Sequence, residues 1–157
     1  PSEHQLRKKI IDKLPDEYKE SFNKEWPVEV RPINPVDLMS PEPKEPQNYI
    51  WFKARSSLPD IVSLHQCVLA YMSDMTLLDT CTNPHGVNFM NPNLHSASLD
   101  HAMWFHRPFK ADEWLLYHQD SPSASGARGF NRGSIFDLNG NLIASVAQEG
   151  LIRFTQN

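Results

Sequence analysis

IVSLHQCVLAYMSDMTLLD, residues Ile61 to Asp79, contains neither proline nor glycine and directly follows Pro59-Asp60, a helix start. Placed at about 100° per residue, His65, Gln66, Ser73 and Thr76 gather on one side, joined by Val62 and Leu69. The opposite arc, about 220° wide on that geometry, holds Leu64, Cys67, Val68, Ala70, Tyr71, Met72, Met75, Leu77 and Leu78. A helix apolar over most of its circumference has to be wrapped by other elements, so this stretch is expected to be a central helix inside a sheet. Asp74 falls within the apolar arc, between Ser63 and Cys67 in projection. A carboxylate there needs hydrogen-bond donors, or its pKa rises. The structural alternative is that the helix frays before Asp74, or that Asp74 caps a neighbouring loop.

The wrapping sheet is legible on both sides of the helix. Nine of the 13 prolines lie at or before Pro59, whereas all six glycines lie at or after Gly86. The front therefore reads as helix plus extended connector, and the back as strands joined by tight turns. His4 to Glu25 has helical spacing broken at Pro15; Val28 to Ile33 alternates like a strand; Pro35 to Pro46 is an extended loop; Asn48 to Arg55 is an aromatic strand. Four further strand-like runs follow: His95–His106, Glu113–Asp120, Ser125–Leu138 and Asn141–Phe154, the last two joined through Asn139-Gly140 as a tight turn. Gly126-Ala127-Arg128-Gly129 reads as a bulge. The fold class is α+β, an antiparallel meander around one long helix.

Composition excludes several functions. The chain has 157 residues, 39% hydrophobic and 22% charged, enough for one packed domain. A net charge of −4 without a basic block argues against nucleic acid or an anionic membrane surface as partner. No apolar run approaches the roughly 18 residues of a membrane span. Two cysteines cannot make a disulfide framework, which suits a reducing compartment. The seven histidines show no metal-ligand spacing, and CxxC, P-loop, dinucleotide and nucleophile-elbow motifs are absent, so no metal or cofactor is expected.

On the strands, polar groups in apolar company are again the informative ones. Leu142, Ala144, Val146, Gln148, Gly150 and Ile152 share a face, and Gln148 is its one large polar group. Such an amide holds a water or a carbonyl, or serves as a core amide bonded to backbone. Ser98 lies on the strand beside the central helix; its alternative is a simple backbone bond. By alternation Asp100 and His101 face opposite sides, and His101 faces away from Ser98. Arg128 and Arg132 share a face and suit either a phosphorylated ligand or a solvated surface.

Five blocks of this sequence resemble the acyl-CoA thioesterase II (TesB-like) family: HQCVLAYMSD (65–74), SLDHAMWFHRPF (98–109), EWLLY (113–117), SASGARGF (123–130) and AQEG (147–150). The resemblance runs from about Asn48 to the end. It implies a hot-dog fold, in which an antiparallel sheet wraps a long helix, for residues 47–157, preceded by a helical and Pro-rich connector at 1–46. It also implies hydrolysis of acyl-CoA thioesters to fatty acid and CoA. The family's catalytic aspartate, serine or threonine, and glutamine fall on Asp74, Ser98 and Gln148. Thioester hydrolysis needs an activated water and a stabiliser for the developing oxyanion, but no obligatory covalent nucleophile. The expectation is that the three residues hold the water, Asp74 takes its proton, and a helix N-terminus or backbone amide polarises the carbonyl.

Members of the family carry two hot-dog repeats, and this chain starts at Pro1 with connector, so only the C-terminal repeat is expected here. Its exposed edge and apolar surface imply self-association or pairing with an N-terminal repeat. The alternatives are a non-catalytic acyl-CoA-binding module, a fragment inactive without that repeat, or another hot-dog enzyme such as a hydratase or dehydratase, which needs a catalytic His/Asp or Glu set facing the site. A soluble intracellular, cytoplasmic location is expected; the peroxisomal alternative lacks support from the ending Thr155-Gln156-Asn157, which is not of the S-K-L type.

Overall fold

The computed structural model describes residues 1–14 and 16–155. Pro15, where the front helix was expected to break, and Gln156 and Asn157 of the C-terminal ending lie outside the described residues. The front helices are α1 (Glu3–Ile10) and α2 (Asp16–Asn23). A capping box starts α1, with the Gln5 amide N–H donating to Ser2 Oγ at 3.3 Å and the Ser2 N–H donating to Gln5 Oε1 at 2.9 Å. Then come β1 (Val28–Pro32), β2 (Gln47–Ala54) and the central helix α3 (Val62–Asp74). A 3-10 segment, Leu78–His85, leads to β3 (Leu94–Ser98), β4 (Ala102–Phe105), β5 (Leu115–Ser125), β6 (Arg128–Phe136) and β7 (Leu142–Phe154).

All seven strands form one antiparallel sheet in the order β1-β2-β5-β6-β7-β3, with β4 also paired to β7. The sheet curves around α3, the expected α+β architecture. β1, drawn from the 28–33 run within the connector region, adds an edge strand to β2 from Val28↔Ala54 to Pro32↔Ile50. Its inward Val28 and Val30 join Ile50, Phe52, Leu69, Met72, Leu77, Leu115, Tyr117, Ile135, Ile143 and Val146 in the core.

The central helix differs from expectation in extent and in orientation. It ends at Asp74 rather than running to Asp79, and the Met75 N–H bonds back only three residues, to Met72 O at 3.3 Å. Side chains compete for its last turn. Ser73 Oγ takes the Ala70 carbonyl at 2.9 Å, and the Thr76 and Thr80 hydroxyls are held by the buried Gln119, at 2.7 and 3.1 Å. The buried side of α3 is the one read as polar: His65, Leu69, Met72 and Ser73 are buried, whereas Tyr71 is 58% exposed and Cys67 is exposed. Partners on the sheet side make this possible, as where the Ala111 N–H donates to His65 Nδ1 at 3.0 Å. Cys67 and Tyr71 of the broad apolar arc therefore face outward, while Met72 and Leu77 join the core and Val68 and Met75 pack against it.

Two turns also differ. Gly126 and Ala127, both at φ +60°, form a two-residue hairpin turn between β5 and β6, and the bulge lies instead between Asp120 and Ser123. In the last hairpin only Gly140 is left-handed, with φ +79°, so Asn139-Gly140 is the second half of an Asp137–Gly140 turn closed by Gly140 N–H to Asp137 O at 3.1 Å.

Beneath α1, between the β1–β2 edge and the 3-10 segment, lies a mostly apolar cavity of about 430 Å³. Asp79 lines it with solvent still reaching its side chain; the protein packed around the carboxyl pushes it up to about 6, with Glu3 adding to the rise and Arg7 opposing it. The folded protein thus binds this proton more tightly than the unfolded chain. The contribution favours folding below the ordinary value of 3.8 and is lost as pH rises through about 6. Asp79→Asn is expected to raise the Tm at about pH 8 and to lose that advantage near pH 4, as followed by thermal melts. An equal effect at both pH values would contradict this reading.

Candidate functional site

The site forms where α3 ends against a break in the strand run expected at 95–106. Between β3 and β4 the ladder with β7 is interrupted. The Leu99 N–H donates to Glu149 O at 2.9 Å, and the Glu149 N–H donates to the Asp100 carboxylate at 2.7 Å in place of a backbone carbonyl. This side-chain substitution resets the alternation beyond Ser98 and turns His101 toward the helix end.

Asp74, Ser98 and Gln148 come together there. Ser98 Oγ donates to Asp74 Oδ1 at 3.2 Å, and Gln148 Nε2 donates to the same oxygen. The expected burial of Asp74 is not found: its side chain is 51% exposed, on the outward face of α3, and its partners come from two strands. Gln148 is fully buried, as its place on the β7 core face requires, and reaches the surface only through the carboxylate. Leu99 and Asp100 line an open cleft of about 400 Å³ together with Ala70, Tyr71, Asp74, Met75, Ser98 and His101.

His101 was missed as a member of this group, and its predicted orientation away from Ser98 is corrected by the break in the ladder. Its Nε2 lies 2.8 Å from Ser73 Oγ, its Nδ1 lies 3.1 Å from Gln148 Nε2, and Nδ1 is 3.7 Å from Asp74 Oδ1. The available signal was Asp100, an acid in mid-strand able to take over a ladder bond. Period-two reasoning cannot register such a substitution.

A second layer fixes the helix end. The Tyr117 hydroxyl donates to the Ser73 carbonyl at 3.1 Å. Its ring crosses β6 because position 133 is glycine: a Cβ there would stand 2.2 Å from Tyr117 Cε2. Burial, reinforced by the charge of Asp74, pushes the Tyr117 phenol far above its ordinary range, so it remains a donor. The helix N-terminus cannot serve this site. Val62 and Asp74 are the two ends of a 13-residue helix, about 18 Å apart. The nearby Leu99 N–H is also committed, to Glu149 O.

Other candidates resolve into surface pairs. Arg128 pairs with Glu149 at 3.3 Å and Arg132 with Asp120, both largely in solvent. Among the described residues no group of three or more His, Cys, Asp or Glu is placed to hold a metal ion.

A family described as acyl-CoA thioesterase matches residues 17–151. Acyl-CoA thioesterase 2 of Haemophilus influenzae is 38% identical over 98% of this chain and 54% of its own length. The crystal structure of an acyl-CoA thioesterase II, TesB2, from Mycobacterium marinum is 47% identical, with a TM-score of 0.71 over 92% of this chain and 54% of that one. A hot-dog protein of unknown function from Alicyclobacillus acidocaldarius, 15% identical, matches with a TM-score of 0.64 over 83% of this chain and 47% of its own, a likeness of fold alone. The chain spans about half the length of these proteins.

Tyr117→Phe leaves the Ser73 carbonyl without its phenol donor and is expected to cost about 1–3 kcal/mol in urea unfolding. An unchanged midpoint would show that this contact does not hold the helix end.

Proposed function

Because the chain belongs to the acyl-CoA thioesterase family and has its hot-dog fold, we propose that it hydrolyses fatty acyl-CoA to free fatty acid and CoA, with Asp74, Ser98 and Gln148 holding and activating the attacking water. The observation that carries this reading is the shared oxygen: Ser98 and Gln148 both donate to Asp74 Oδ1 at the floor of an open cleft. With Oδ1 engaged twice, Oδ2 is the oxygen that receives a proton. Water on Oδ2, with the Ser98 hydroxyl beside it, attacks the thioester carbonyl carbon while its proton passes to Asp74. The tetrahedral oxyanion then collapses, the C–S bond breaks, and the proton held on Asp74 passes to the departing CoA thiolate. Fatty acid and thiol are released with the carboxylate restored.

The reading extends to a partner. The cleft runs between the outward side of α3, where Tyr71 is 58% exposed, and the end of β3, where Leu99 is 55% exposed. A second hot-dog unit, either an N-terminal repeat or another copy of this chain, would cover that surface and supply the carbonyl polariser that the α3 N-terminus cannot reach. Half-length coverage of the relatives supports the first of these. No helix among the described residues is long and apolar enough to cross a membrane. Two free cysteines suit a reducing compartment, the cytoplasm or the peroxisomal matrix.

Asp74→Asn is expected to lower kcat for thiol release from acyl-CoA by about 10²–10⁴-fold while leaving the thermal melt close to the parent. Wild-type turnover in this variant would refute the assignment of Asp74. An inert parent chain that regains activity when joined to an N-terminal repeat would locate the carbonyl polariser outside residues 1–157.

A further inference from the structure

The hydrogen-bond chain behind Asp74 has only one consistent direction. A carboxylate accepts, so the group Gln148 presents to Asp74 Oδ1 is its NH₂. The same nitrogen lies 3.1 Å from His101 Nδ1, and since an amide nitrogen only donates, Nδ1 carries no proton. In a neutral ring the proton then sits on Nε2, which donates across 2.8 Å to Ser73 Oγ. The single Ser73 proton goes to the Ala70 carbonyl at 2.9 Å. On its other side the Gln148 amide is not held: among the described residues its buried Oε1 has no partner.

We propose that His101 is a positioning residue for the thioester hydrolysis proposed above, on which this inference rests. Its unprotonated Nδ1 keeps the Gln148 NH₂ turned toward Asp74, and Ser73 fixes the ring tautomer that makes this possible. His101 is half-screened within the cleft wall, with its side chain 20% exposed, and acts on the reaction through Gln148. Without it the amide is free to rotate and present Oε1 to the carboxylate, two acceptors face to face. Asp74 then loses one of its two donors.

Two substitutions separate position from bulk. Asparagine can place an acceptor near the Nδ1 position, while alanine removes it. His101→Ala is expected to lower kcat by about 30–100-fold with KM nearly unchanged, and His101→Asn to recover most of that loss, because misplacement of a catalytic group is costly in kcat. Equal kcat in the alanine variant and the parent, or an asparagine variant as impaired as the alanine one, would overturn the proposal. Nitrogen NMR of the ring tests the geometry without reference to turnover. The parent is expected to show Nε2 protonated and Nδ1 bare, with the Nδ1 signal moving in Gln148→Leu. A protonated Nδ1, or a signal unmoved by that substitution, would overturn it. A parent chain that releases no thiol yet shows the expected ring signals would count against the thioesterase reading and leave the His101–Gln148 lock supported.

Discussion

One carboxylate oxygen ties the structure together. Asp74 ends the central helix, and its Oδ1 receives a hydroxyl from β3 and an amide from β7, two strands paired side by side in the sheet against the helix end. Each donor depends on a different feature of the fold. Ser98 sits at the last residue of β3 before the ladder breaks, and Gln148 lies at the mid-strand of β7, buried by β6. The helix must also stop at this point, which the competing side-chain bonds of Ser73, Thr76 and Thr80 bring about. Moving any of these by one residue would separate the carboxylate from its donors.

The helix is held on its polar side and left open on its apolar one only around Cys67 and Tyr71. His65, Ser73 and Thr76 each find a hydrogen-bond partner, in Ala111, His101 and Gln119, on the side that helical projection grouped as polar. Hydrogen bonding to specific partners removes the cost of burying them. The exposed part of its apolar side borders the Asp74 cleft, and the second hot-dog unit proposed above would cover it.

The architecture was largely legible because its signals are local. The proline-free run from Ile61, the glycine turns and the alternating strands predict a helix wrapped by an antiparallel sheet, and the structure has one. Asp74 and Gln148 also stood out locally, as polar side chains among apolar neighbours. Which side of the helix is buried was not legible, since hydrophobic pattern assumes that polar groups lack partners, and here the partners are distant in sequence. His101 was hidden for a related reason: the Asp100 carboxylate replaces a ladder carbonyl, and strict alternation fails at the residue that matters. The end of α3 at Asp74 is set by Gln119, on a strand far along the chain.

The most direct test of the account is a crystal structure of the protein with a hydrolysis-resistant acyl-CoA analogue. The analogue's carbonyl carbon is expected above Asp74, with a water on Oδ2 within reach of Ser98 Oγ and the Gln148 amide still bound to Oδ1. An acyl group lodged instead in the 430 Å³ cavity beneath α1, with the Asp74 cleft unoccupied, would contradict it.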